Sequence, residues 1–291
     1  MFFDPEITNV LRDVLPWAES FFRIITDLGA ETAFVVLIFT GYWAYKKKES
    51  MQVGFLLLAS VLANYWLKVA IANPRPPLSY RLPEVDAPNF STPSGHAQNS
   101  TAFFGGIAVK ARKWWLMLAA ALLSILIGVS RVYLGVHYLE DIILGWGVGI
   151  VILLAYIYAW PSVEQFLSKY REEAPYIVLF LVGFVGLVIC AYLLPQPPDD
   201  NFGLTGGLIM GLTLGILLEK KFVNFSIEPH DGQKWRLVVR VVVGLVLMLG
   251  AMLGLRSFLP SEDIWLRTVR YGFVLLLGTF IWPYIFKKLN L

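Results

Sequence analysis

Apolar residues run in blocks of about 20 along this chain, separated by short polar segments. A helix rises 1.5 Å per residue, so roughly 20 apolar residues cross the hydrocarbon core of a bilayer. Such blocks fall near 29–46, 51–72, 96–112, 114–134, 141–160, 175–195, 203–219, 236–257 and 266–287, which predicts nine spans. The pattern before them differs. Asp4-Pro5-Glu6 reads as a helix start, with Asp4 as N-cap and Pro5 at the first helical position. Ile7, Leu11, Val14, Leu15, Phe21, Phe22 and Ile25 then recur at helical spacing, interrupted by Arg12, Asp13, Glu19 and Arg23. Residues 1–28 are therefore expected as an amphipathic helix lying in the interface, with a strongly tilted span as the alternative. The fold class is all-α: a polytopic membrane helical bundle of about nine transmembrane helices plus an N-terminal interfacial helix.

Composition agrees. Hydrophobic residues make up 57% and charged residues 15%, against about 25% charged in a soluble protein. The net charge of +3 is small and its basic residues are scattered over short loops, so nucleic acid is not an expected partner. The single cysteine, Cys190, lies in an apolar run and reads as a buried small hydrophobe; no disulfide can form within the chain. The start, Met1-Phe2-Phe3-Asp4, lacks the basic region of a cleavable signal peptide.

The charges orient the spans. Lys46, Lys47 and Lys48 follow the first span, and Lys110, Arg112 and Lys113 the third. Lys169 and Arg171 follow the fifth, Lys220, Lys221, Lys234, Arg236 and Arg240 surround the connection after the seventh, and Lys287 and Lys288 end the ninth. That places 15 of the 24 Lys and Arg residues on one side. The loop Pro195–Asp200, on the other side, has no basic residue. The positive-inside rule puts the lysine-rich loops in the cytoplasm, the N-terminus outside and the C-terminus inside.

Three segments carry chemistry, and all fall on the extracytoplasmic side in this arrangement. The first is Lys68, six residues, then Arg75-Pro76; the second is Pro93-Ser94-Gly95-His96; the third is Ser130-Arg131, five residues, His137, three residues, Asp141. Ionisable residues at membrane depth are costly and mark functional sites. A phosphate ester needs cations and N–H donors in place before it arrives. Arg75 and Arg131 suit bidentate capture of phosphate oxygens, and Lys68 acts as a point charge. Pro74 and Pro76 put Arg75 on an exit turn rather than in the helix. Ser94 and Gly95 open a helix, whose free N–H groups form an anion site. His137 and Asp141 are four apart and share a helix face, so Asp141 can hold one ring nitrogen and leave the other free to attack phosphorus. His96 remains as general acid. His230, beside Asp231 and Gly232, reads as a solvated turn residue. No acidic cluster that would hold a metal is visible.

These three segments resemble, in residue type, spacing and order, the signature motifs of the type 2 phosphatidic acid phosphatase superfamily. The resemblance covers roughly residues 29–160. It implies a helical bundle that gathers the three motifs around one phosphate. Lys68, Arg75 and Arg131 would bind that phosphate, with Ser94 and the Gly95 amide completing the cradle. His137 would be the nucleophile and pass through a phosphohistidine, Asp141 would orient it, and His96 would protonate the leaving group. No metal or other cofactor is implied. Nine spans also resemble the topology of the glucose-6-phosphatases and the sphingosine-1-phosphate phosphatases, which fixes no substrate.

The chain divides near residue 165: a catalytic transmembrane core at 29–165 and an accessory bundle of about four helices at 166–291. Gly207, Gly211 and Gly215 line one span, and Gly145 and Gly149 another. Such stripes serve close packing within the chain or a homodimer. The expected function is a metal-independent membrane phosphatase of a lipid phosphate or pyrophosphate, taking its substrate from the bilayer on the extracytoplasmic side. A phosphotransferase, a phosphatase of a soluble sugar phosphate, and a non-enzymatic lipid-binding or transport protein are the alternatives.

Overall fold

A computed structural model of the chain describes residues 3–85, 87–194, 201–228 and 232–291. The loop Pro195–Asp200 and the residues His230 and Asp231 lie outside the described residues. Among those described, every regular element is helical. A helix stands at each of the nine apolar blocks: α3 (Glu31–Ala44), α4 (Lys47–Ile71), α5 (Gly95–Ala111), α6 (Trp114–Tyr133), α7 (Leu139–Leu167), α8 (Ala174–Tyr192), α9 (Gly203–Leu218), α10 (Trp235–Gly254) and α11 (Ile264–Leu276). A π-helical turn, Leu277–Ile281, runs from α11 into α12 (Trp282–Lys288).

The count of nine spans is approximate. Among the described residues, six helices are long and apolar enough to cross a membrane by length and composition alone, or seven if a bent pair is one span. The physical reasons differ from helix to helix. α5 has 17 residues and opens on the polar run Gly95-His96-Ala97-Gln98-Asn99-Ser100-Thr101. α9 has 16 residues and is mostly buried by its neighbours, so it does not need the apolar length of a lipid-facing helix.

The single interfacial helix expected at the N-terminus is two short ones, α1 (Glu6–Val14) and α2 (Glu19–Asp27). Pro16 falls in the break; its missing N–H and its ring stop the first helix from continuing. α2 then joins α3 at a bend of 48°. Both short helices bury a face, which the lone amphipathic pattern did not specify.

The chain divides into two compact units. The first is Met1–Val35 with Val53–Pro161; the second is Val36–Gln52 with Ser162–Leu291. In the first unit, α1 and α2 pack on α6. Phe22 stacks on Tyr133 with ring centroids 4.7 Å apart. Thr8 Oγ1 donates to Val132 O at 3.0 Å, Arg12 Nε to Tyr133 O at 3.0 Å, and Tyr133 Oη to Leu15 O at 3.0 Å. The first two bonds reach carbonyls at the end of α6, and the third reaches the carbonyl that follows α1, all groups the helices themselves leave unpaired. α7 lies hard against α5: a Cβ at Gly145 would sit 2.8 Å from Ser94 O, and one at Gly149 2.7 Å from Gln98 O.

In the second unit, α9 packs on α11 the same way. A Cβ at Gly207 would sit 2.5 Å from Thr268 O, and Gly211 and Gly215 approach Gly272 and Thr279 as closely. Both glycine stripes are thus covered by helices of the same unit, the first of their two expected uses. The second unit also holds a buried ion pair, Lys47 Nζ to Glu219 Oε1 at 2.7 Å, on a π-helical turn at Glu219–Val223.

Candidate active site

α4 delivers Lys68 in its last turn and stops at Ile71, three residues before Pro74, which can neither donate to the helix ladder nor clear its preceding turn. Arg75 therefore leaves the helix and lies on an irregular strand of chain. Both cations are fixed by one short segment. Lys68 Nζ donates to Phe90 O and, at 3.2 Å, to Ser91 O. Arg75 Nε donates to Asn89 O at 2.9 Å and Nη2 to Pro88 O at 2.7 Å. Four successive carbonyls thus set the positions of two side chains seven residues apart in sequence.

The second motif opens α5. Ser94 is its N-cap, with Oγ 3.5 Å from the Ala97 amide, and Ser94 N donates to Asp141 O at 3.0 Å. Gly95 stands against α4, where a Cβ would come 3.1 Å from Asn64 Oδ1. His96 follows, half-buried in the first turn. The helix thereby presents its free amides and positive dipole end where an anion would sit.

The third motif ends α6 and starts α7. Arg131 is buried in the last turn of α6, and its Nη1 donates to Thr26 Oγ1 of α2 at 2.9 Å. Its Nε is buried with no hydrogen-bond partner among the described residues, a donor available to an anion. Gly135 adopts φ +74° where the chain turns against Tyr80 O, a conformation and a space that only glycine fits. Val136 O then accepts from Arg75 Nη1 at 2.8 Å. His137 follows, 2% exposed, with Asp141 fully buried one helical turn on.

His137 has two distinct sides. Its Nδ1 is 3.2 Å from Asp141 Oδ2, and its Nε2 is 3.1 Å from Arg75 Nη1. A carboxylate can only accept, so Nδ1 carries the proton and Nε2 keeps its lone pair toward the cations. Burial, and then the charges of Arg75, Lys68 and Arg131, hold His137 well below the ordinary imidazole range, so it is neutral at pH 7. Lys68, Arg75, Arg131 and His137 also lie within electrostatic reach of His96. All eight residues that the sequence points to are therefore on or beside one spot: Lys68, Arg75, Ser94, Gly95, His96, Arg131, His137 and Asp141.

The profile of the PAP2 superfamily matches residues 49–164, and that of the PAP2 superfamily phosphatase transmembrane extension matches residues 203–291. Phosphatidylglycerophosphatase B of Bacillus subtilis (strain 168) is 31% identical over 171 residues, covering 54% of this chain and 81% of that protein. The chain belongs to the PAP2 superfamily. Sphingosine-1-phosphate phosphatase 1 of Mus musculus is 22% identical over 310 residues, covering 93% of this chain and 72% of that one. A crystal structure of a transmembrane PAP2 type phosphatidylglycerolphosphate phosphatase from Bacillus subtilis aligns over 54% of this chain and 80% of its own, at 25% identity and a TM-score of 0.42.

This PAP2 phosphatase is an integral membrane protein whose site is built at the ends of apolar helices. Among the described residues no three His, Cys, Asp or Glu side chains gather as a metal site. Lys68, Arg75 and Arg131 bring three positive charges to the site. Residues other than those eight complete it. Ser91 and Thr92 both donate to the Asp141 carboxylate, and Asn73 Nδ2 donates to Thr92 Oγ1 at 2.8 Å. Asn64 Nδ2 donates to Pro93 O at 3.3 Å and to Gln98 Oε1 at 2.9 Å, and Gln98 Nε2 to Ser60 O at 2.8 Å. The signal for these was polarity in the wrong place: Asn64 and Gln98 interrupt apolar blocks, and Ser91-Thr92 directly precede Pro93. Thr26 carried no such signal.

Proposed function

We propose that this chain hydrolyses a phosphate monoester or pyrophosphate of a lipid, without a metal ion, through a phosphohistidine on His137. The observation that carries the reading is the orientation of His137, with Nδ1 on Asp141 and the lone pair of Nε2 facing the Arg75 guanidinium. Binding alone would need the cations but no oriented imidazole. In the first step Nε2 attacks phosphorus, the bond from phosphorus to the leaving oxygen breaks, and His96 gives that oxygen a proton. Lys68, Arg75, Arg131, the Ser94 hydroxyl and the Gly95 amide hold the remaining phosphoryl oxygens, whose charge they offset in the transition state. In the second step a water gives its proton to His96 and attacks phosphorus, the bond from phosphorus to Nε2 breaks, and inorganic phosphate leaves.

A lipid suits the position of the site, because an amphiphile can put its headgroup among the cations while its tail stays in the bilayer. Relatives named for phosphatidylglycerophosphate and sphingosine 1-phosphate support that class. Residues 29–165 act as the catalytic core in this reading, and residues 166–291 as an accessory bundle. Phosphate release from phosphatidate, phosphatidylglycerophosphate, a polyprenyl pyrophosphate, a sphingoid phosphate and a sugar phosphate tests it, with and without EDTA and an alcohol acceptor. Release from one or more lipids, undiminished by EDTA, is expected. A strict need for magnesium overturns the metal-free mechanism; transfer to the acceptor makes it a transferase; activity on the sugar phosphate alone removes the lipid.

The excess of Lys and Arg on one side supports an extracytoplasmic active site. In a Cys190→Ser background, a cysteine replacing exposed Ser79, beside the first motif, should react with an impermeant thiol reagent on intact cells. One replacing exposed Ser162, near the end of α7, should react only after permeabilisation. The reverse pattern would put the chemistry on the cytoplasmic leaflet.

A further inference from the structure

Asp141 does more than touch His137. Its Oδ2 lies 3.2 Å from His137 Nδ1 and accepts from the Tyr138 amide at 2.9 Å and from Ser91 Oγ. Its Oδ1 accepts from Thr92 Oγ1. Both hydroxyls are buried, Ser91 completely and Thr92 to 3%. Because a carboxylate has no proton to give, each hydroxyl must point its hydrogen at Asp141. Thr92 is turned that way from behind by Asn73 Nδ2, which donates to the same oxygen at 2.8 Å, and Ser91 by its backbone amide, which donates to Asn73 O at 2.8 Å. Ser91 Oγ is also 3.2 Å from His137 Nδ1, so its oxygen faces the Nδ1 proton while its hydrogen faces the carboxylate.

The consequence concerns the second half of the reaction. Once phosphorus is bonded to Nε2, the ring is a good leaving group only while Nδ1 keeps its proton, because the departing imidazole is then neutral. If Asp141 took that proton, the ring would have to leave as an anion. A carboxylate already accepting from two hydroxyls and an amide competes weakly for one more proton. We propose that Ser91 and Thr92, locked by Asn73, are positioning residues that keep the Nδ1 proton on His137 and so set the rate at which the phosphoenzyme is hydrolysed. This rests on the phosphohistidine reading above and assigns the control of its breakdown to Ser91 and Thr92, outside the three motifs, held by Asn73 in the spacer of the first. Asn73 joins the cation-bearing loop to the nucleophile's carboxylate through a single threonine, so the two halves of the site are set together.

The test is a rapid-mixing experiment on the full chain in detergent with phosphorus-labelled lipid phosphate, quenched in alkaline detergent where a phosphohistidine survives. Thr92→Val keeps the shape and removes the donor. Turnover should fall about tenfold, the low end of what one hydrogen bond to a charged group contributes. The labelled fraction of enzyme at steady state should rise several-fold, because breakdown slows more than formation. Thr92→Ser, which restores the hydroxyl, should return both to near wild type; Ser91→Ala should move both in the same direction as Thr92→Val. A merely structural loss would lower label and turnover together, and that result, or a Thr92→Ser variant no better than Thr92→Val, overturns the proposal. Absence of label from the wild type and all variants overturns the phosphohistidine itself, an outcome distinct from label that is present but unmoved.

Discussion

His137→Ala is expected to lower turnover by roughly 10⁴-fold or more while substrate still binds. The His137 imidazole holds a lone pair toward the cations, through Nε2 at 3.1 Å from Arg75 Nη1. In the proposed mechanism its loss removes the nucleophile and leaves the cradle. Arg75 does not depend on His137 for its position, because Asn89 O, Pro88 O and Val136 O hold it independently. Lys68 is held by Phe90 O and Ser91 O, and Arg131 by Thr26. Phosphate release and equilibrium binding of the same lipid, measured on the same preparation, separate the two effects. Binding within a few-fold of wild type with no detectable release is the expected pair. A variant retaining more than roughly one part in a hundred of the activity would show that another group attacks phosphorus.

The candidate site residues stood out in the sequence because their chemistry is incompatible with their surroundings. Lys68, Arg131 and Asp141 sit at the ends of apolar helices, where an ionised group needs a partner or a function. The four-residue spacing of His137 and Asp141 carried geometry as well as composition, since it puts both on one helix face. Pro74 likewise located the end of α4 and freed Arg75 from it. What holds those residues was not legible. The carbonyls of Pro88, Asn89, Phe90 and Ser91 fix two cations through backbone atoms, and every residue type offers the same carbonyl. The division of the N-terminal segment into α1 and α2, and the contact of Thr26 with Arg131, arise from packing on α6. The spacing of Ile7, Leu11 and Phe22 shows only that some face is buried, and an interface and a helix surface satisfy it equally. The burial of α9 was not legible for a related reason. Apolar or small residues are counted as lipid-facing, yet Gly207 and Gly211 are small because another helix backbone lies against them.

The acid role proposed for His96 makes a prediction that depends on the substrate rather than on the overall rate. His96 stands in the first turn of α5, beside the Ser94-Gly95 cradle and within electrostatic reach of Arg131, His137, Arg75 and Lys68. Gly29, at the bend between α2 and α3, clears the space next to the ring: a Cβ there would approach His96 Cδ2 to 3.2 Å and Ile127 Cγ2 to 2.6 Å. A lipid alcohol is a poor leaving group and must be protonated as the bond to phosphorus breaks, whereas an activated phenolate departs unaided. His96→Ala should therefore lower kcat for a lipid phosphate by roughly 10²–10⁴-fold, the usual contribution of a positioned acid, and change kcat for an activated aryl phosphate far less. The ratio of the two losses is the readout, because misfolding or a distorted cradle would depress both substrates alike. Phosphorylation by the aryl substrate should still proceed in the variant. Its breakdown should then slow, since the group that accepts the proton of the attacking water is the one removed, and label should accumulate on His137. Equal losses on the two substrates, without that accumulation, would leave His96 as a phosphate ligand and move the acid elsewhere in the site.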